Sequence, residues 1–209
     1  MPETWNKPKE RPAGGILLLH AWWGLNEFMT NLSGRLASEG YSTLAMDLYH
    51  GRTASTIPEA QKLRQGLKRE IVTAEILDAL ERLSSDPALQ GKKIGTLGFS
   101  LGAYWCFWLA EKMPLALAAC VGFYGIRNGQ YSRCQTSFMG HFADKDTYVS
   151  ESTRKKVEQQ LESAGKEVKF ITYPGTRHWF FESDRLEYMP QAADQAWLST
   201  LEFLKKHLT

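Results

Sequence analysis

Short apolar runs alternate with amphipathic segments along the whole chain, and that alternation constrains its fold more than any other feature. "GGILLLH" (Gly14–His20), "YSTLAMDLY" (Tyr41–Tyr49), "KKIGTLGF" (Lys92–Phe99), "LALAACVGFY" (Leu115–Tyr124), "QTSFMGHF" (Gln135–Phe142) and "EVKFITY" (Glu167–Tyr173) read as strands. Most are nearly continuous in apolar character, the pattern of strands buried on both faces. Between them, Phe28, Leu32 and Leu36 recur at helical spacing before Gly40, where a helix would end. One long helical pattern after Pro58 carries Ile76, Leu80 and Leu83 on one face. Further helices are predicted over Leu101–Met113, over Ser150–Ala164 and around Trp197, Leu201 and Leu204. Strand–helix alternation at this pitch implies an α/β domain: a mainly parallel central sheet with helices on both faces. The chain of 209 residues suffices for one such domain, read here as residues 13–209 behind a polar segment, 1–12. His50–Pro58 reads as a loop, and no insertion is long enough to form a cap domain.

Charge and composition remove several classes of function. The formal net charge is +2 with both signs interspersed, so no basic face for nucleic acid is expected. No apolar run approaches the roughly 18 residues of a membrane span. The opening "MPETWNKPKERPAGG" has no apolar stretch of the kind a signal peptide carries. Of three cysteines, Cys106 and Cys120 lie in apolar stretches and Cys134 is left over, a pattern that fits reduced thiols and a cytoplasmic location. No Cys/His cluster has metal-ligand spacing and no glycine loop has phosphate-cradling spacing, so neither metal nor organic cofactor is expected.

"GTLGFSLGAYW" (Gly95–Trp105) places Ser100 between Gly98 and Gly102, just after a strand and just before a helix. A sharp strand-to-helix turn at that point exposes the hydroxyl at the carboxyl edge of the sheet, and glycines two residues away on either side relieve the crowding. The Leu101 N–H then lies at a helix N-terminus, where negative charge is favoured. A serine hydroxyl needs a positioned base, and the base an orienting acid. In chains of this architecture the order is serine, acid, histidine. "YPGTRHWFF" after the last strand supplies His178, and "HFADKDTYVS" supplies Asp144 and Asp146, either of which lies at the right point in the order.

Taken together, "HAWWGLNEFM", "YSTLAMDLYHG", "IGTLGFSLGA", "GFYG", "ADKDTYVS" and "YPGTRHWFF" resemble the dienelactone hydrolase family of α/β-hydrolases. The resemblance runs from about Gly15 to the last helix. It implies that Asp146 is the acid and that the backbone N–H groups of Leu101 and Trp22 form an oxyanion hole. The family's namesake enzymes carry cysteine at the elbow and glutamate after the first core strand; here these positions hold Ser100 and Ala21. The two changes agree with each other, because a serine relies on direct proton transfer to histidine rather than on prior conversion to an anion. Where those enzymes place an arginine four residues beyond the histidine, this chain has Glu182, which is expected to repel an anion and so to disfavour a dienelactone carboxylate. Arg177 adds a charge beside His178 that is expected to compensate in part, and either Arg64 or Arg69 is expected to approach the site from the preceding helix.

The expected activity is therefore hydrolysis of a small carboxylic ester or lactone by Ser100, His178 and Asp146. Trp22, Trp23, Tyr124, Trp179 and Phe180 are the candidate pocket walls, and the partner is a small molecule rather than nucleic acid or membrane. Thioesterase or acyltransferase chemistry on the same residues, and a non-catalytic small-molecule binding protein of the same fold, are the alternatives.

Overall fold

A computed structural model describes residues 3–209. Seven strands form one sheet: β1 (Glu3–Asn6), β2 (Gly14–Leu19), β3 (Tyr41–Met46), β4 (Ile94–Phe99), β5 (Ala119–Phe123), β6 (Ser137–Ala143) and β7 (Val168–Tyr173). Their spatial order is β1-β3-β2-β4-β5-β6-β7, and every pairing is parallel except that of β1 with β3. The polar N-terminal segment thus contributes an edge strand. Its residues are all half-buried, as one exposed edge permits, and carry no apolar run from which a strand could be read.

The helices are α1 (Glu27–Ser38), α2 (Ile57–Gln65), α3 (Arg69–Ser84), α4 (Leu101–Lys112), α5 (Glu151–Ser163) and α6 (Pro190–Leu208). Side chains of β2 alternate between two cores. Ile16 and Leu18 pack with α1 and α6, whereas Leu17 and Leu19 pack with α3, α4 and α5. All six residues of β2, of β3 and of β4 are buried, which explains their continuous apolar runs. One expectation needs correction: the long helical pattern after Pro58 is two helices. Thr56 and Glu59 form a reciprocal cap on α2, Gly66 ends it, and the chain re-enters helix at Arg69. Within α2 only Ala60 is buried, so its exposed face adds little periodic signal to that of α3.

Within β6, His141 is fully buried. Its Nδ1 meets the Tyr173 hydroxyl at 2.8 Å, and its Nε2 meets Thr200 Oγ1 at 2.9 Å. Because the Thr200 hydroxyl already donates to the Ala196 carbonyl, it accepts from Nε2–H, and Nδ1 accepts from Tyr173. Burial lowers the His141 pKa to about 3, so a neutral ring ties β6 and β7 to α6. The three cysteines are buried and unbridged, and no described helix is long and apolar enough to cross a membrane.

Candidate active site

At the carboxyl end of β4 the chain turns into α4 through Ser100, whose φ of 48° is left-handed. A Cβ on Gly102 would stand 2.1 Å from the Leu19 carbonyl oxygen, and one on Gly98 would stand 2.5 Å from the Gly102 backbone. Both glycines are therefore required by the close approach of α4 to β2 and β4. The Ser100 N–H donates to the Phe123 carbonyl at 2.9 Å, which fixes the turn from below. Its hydroxyl makes no helix-capping bond and faces His178 instead, with Oγ 2.9 Å from Nε2.

His178 lies in the turn that follows β7. Its Nδ1 is 3.0 Å from Asp146 Oδ1 and 2.9 Å from Oδ2. Both side chains are almost wholly buried, at 4% and 1% exposure. A carboxylate only accepts, so Nδ1 carries the proton and Nε2 is left to accept from the Ser100 hydroxyl. Asp146 Oδ1 also accepts from the Tyr148 and Val149 N–H groups at 2.8 and 3.1 Å, which locks the carboxylate in its loop. Asp144 faces elsewhere: its Oδ2 accepts from the Gly175 N–H. Of the two sequence candidates, Asp146 is the one that meets His178.

Ser100, Leu101 and His178 open onto a cavity of about 470 Å³ lined also by Trp22, Tyr124, Tyr148, Arg64 and Arg69. No backbone acceptor among the described residues takes up the N–H of Leu101 or Trp22. The Ala21 carbonyl, in the same peptide unit as the Trp22 N–H, is held by His20 Nδ1 at 2.5 Å and by the Gly24 N–H at 3.2 Å. A trans peptide points its C=O and N–H in opposite directions, so this grip turns the Trp22 N–H to the other side. His20 Nε2 accepts from the Leu48 N–H, so Nδ1 carries the proton that holds Ala21. The sequence marked His20 only as the residue closing a strand; its bearing on Trp22 is visible only in three dimensions.

Three of the expected pocket walls do not line this cavity. Trp23 packs against Trp22 and Trp179 and is covered by the Arg185 guanidinium, 4.3 Å from its ring. Phe180 is fully buried between Tyr124 and Tyr173. Trp179, with a left-handed φ of 69°, stacks on Trp22 and contributes instead to a neighbouring cavity of about 400 Å³ beyond His178. Arg177 and Lys145 are on that second cavity too. Conversely, Tyr104, Trp105 and Tyr148 line the first cavity and were not singled out. Signals for them existed: Tyr104 is one helical turn beyond Ser100, and Tyr148 is two residues beyond Asp146.

Glu182 also corrects an expectation. It is fully buried and outside the cavity, behind Tyr124, whose hydroxyl donates to Glu182 Oε1 at 2.7 Å. Burial pushes the Glu182 carboxyl up to about 8, with the Tyr124 hydrogen bond opposing the shift, and its place behind Tyr124 keeps it off the surface that an anion in the cavity would meet. Arg64 and Arg69, in contrast, reach the cavity from α2 and from the first residue of α3.

A mainly parallel sheet, a strand-to-helix elbow and a histidine beyond the last strand define an α/β-hydrolase. The family model described as the dienelactone hydrolase family matches residues 2–208, and the chain belongs to that family. It is a hydrolase acting on ester bonds. The protein usf of Aquifex pyrophilus is 29% identical over 205 residues, covering 93% of this chain and 89% of that protein. A Bradyrhizobium protein provisionally named 2-oxo-3-(5-oxofuran-2-ylidene)propanoate lactonase is 25% identical, covering 92% of this chain and 84% of its own. Among solved structures, a provisionally assigned dienelactone hydrolase from Klebsiella pneumoniae superposes with a TM-score of 0.81 at 20% identity, covering 96% of this chain and 97% of that one.

Proposed function

We propose that this protein hydrolyses compact carboxylic esters or lactones through a Ser100–His178–Asp146 triad and an acyl-enzyme. The observation that carries the proposal is the unbroken hydrogen-bonded chain from Asp146 through His178 to an otherwise uncommitted serine hydroxyl at the cavity floor. His178 Nε2 takes the hydroxyl proton as Ser100 Oγ attacks the substrate carbonyl, and Asp146 stabilises the imidazolium so formed. The Leu101 and Trp22 N–H groups hold the oxyanion, at about 3–4 kcal/mol for each effective donor. Collapse of the tetrahedral species expels the alcohol, which takes the proton from His178 and leaves an acyl group on Ser100. Water, activated by the same histidine, then releases the acid. In a lactone, acid and alcohol remain one molecule.

Arg64 and Arg69 orient a negative group of the substrate in the cavity, as a carboxylate-bearing lactone would present. Carriage of a carboxylate by the substrate named for the Bradyrhizobium relative supports this reading. Matched p-nitrophenyl esters test it, one with a terminal carboxylate (hemisuccinate) and one neutral (butyrate). The wild type is expected to turn over both and to prefer the acid. Replacing Arg64 and Arg69 together with alanine is expected to cut that preference about tenfold, mainly by raising KM for the acidic ester. Equal loss on both esters would remove the anion from the account. No turnover of either ester or of simple lactones would return the protein to the binding class.

A further inference from the structure

Glu182 and Tyr124 form a buried pair that the hydrolytic steps above do not use. Tyr124, the residue after β5, has a left-handed φ of 37°, a conformation few non-glycine residues adopt. Its ring centroid lies 4.8 Å from that of His178, the ring is fully buried, and it forms part of the cavity wall. Its hydroxyl donates to Glu182 Oε1, while Glu182 Oε2 has no partner. Either form leaves Oε2 unpaired, but an anion there costs far more than a neutral acid, because it loses its hydration without replacement.

Resting on the serine-hydrolase reading, we infer that Glu182 is a positioning residue that acts through Tyr124 to hold the His178 imidazole in register with Ser100, and does so only while its carboxyl is protonated. The neutral acid anchors the phenol, the phenol backs the imidazole, and no charge opposes the oxyanion. Ionisation puts an anion where one oxygen is unsatisfied, and the side chain is relieved only by opening towards water and drawing Tyr124 with it. Around Glu182 the titratable and charged groups are Tyr124 just after β5, His178 beside that ring, and Asp184, Arg185 and Glu187 from its own loop; Asp146 acts on Tyr124 from the acid loop. Burial holds the Tyr124 phenol well above its ordinary value, so Tyr124 stays protonated while Glu182 titrates near 8.

The test is the pH profile of p-nitrophenyl butyrate hydrolysis by wild type, Glu182→Gln, Glu182→Ala and Tyr124→Phe, with Ser100→Ala as blank. A glutamine keeps an acceptor for Tyr124 and cannot ionise. The wild-type kcat is expected to fall about tenfold from pH 7 to pH 9 as one proton is lost near 8. In Glu182→Gln that alkaline fall is absent. Glu182→Ala and Tyr124→Phe each lose about tenfold in kcat at pH 7 with KM within about twofold, and glutamine recovers most of the alanine loss. An active wild type whose profile runs parallel to that of Glu182→Gln overturns this inference alone. Wild-type activity no greater than that of the Ser100→Ala blank overturns the hydrolase reading and this inference with it.

Discussion

Ser100→Ala is expected to reduce ester turnover to the uncatalysed background, a loss on the order of 10⁴-fold or more in kcat, equal to about 5.5 kcal/mol of transition-state stabilisation. The size follows from the geometry. Ser100 Oγ stands 2.9 Å from His178 Nε2, and among the described residues no other hydroxyl is hydrogen-bonded to that nitrogen. Folding is expected to survive the change. The hydroxyl makes one side-chain hydrogen bond, and alanine adopts the left-handed backbone at position 100 with the same strain as serine, of order 1–3 kcal/mol. Thermal melts of the two proteins check this, and overlapping melts alongside lost turnover separate chemistry from stability. His178→Ala is expected to lose as much, and the double mutant little more, because residues that act as a unit do not add.

Asp146→Asn carries the second large effect, on the order of 10⁴-fold in kcat. Asp146 Oδ1 accepts the Tyr148 and Val149 N–H groups, so an asparagine keeps its carbonyl oxygen there and turns its amide nitrogen to His178. An N–H facing Nδ1 drives the imidazole proton to Nε2, where it blocks acceptance of the serine proton. The loop keeps its hydrogen bonds, so the loss appears in kcat rather than in the melting temperature. Asp144→Asn, whose parent carboxylate bonds Gly175 instead, should stay within about threefold of wild type. A larger loss in Asp144→Asn than in Asp146→Asn would contradict the assignment of the acid.

Much of the architecture was legible because β2, β3 and β4 are buried on both faces and announce themselves as apolar runs. The serine was legible because the elbow needs glycine at two fixed positions: a Cβ there would meet backbone, which cannot move aside. β1 escaped because an edge strand with a polar sequence has no periodic burial to display. The break between α2 and α3 escaped because Gly66 is tolerated inside many helical patterns.

Side-chain direction was the least legible quantity. Trp22, Trp23 and Trp179 look equivalent in sequence, yet a left-handed residue at 179 and the guanidinium of Arg185 decide which of them faces the cavity beside Ser100. Glu182 stood at a position expected to face substrate, and its burial behind Tyr124 depends on a turn whose N–H of Glu182 bonds the Trp179 carbonyl. Arg64 and Arg69 belong to separate helices, so their convergence on one cavity could not be read from spacing.

The central claim is that Ser100 carries the acyl group. Wild-type protein mixed with p-nitrophenyl acetate, quenched in acid within the first turnovers and digested for peptide mass spectrometry, tests it most directly. The account predicts one acetyl group on the peptide containing Ser100, located on that residue, and none there in Ser100→Ala or His178→Ala. Ester turnover with the acetyl group on another residue, or with turnover undiminished in Ser100→Ala, would contradict it.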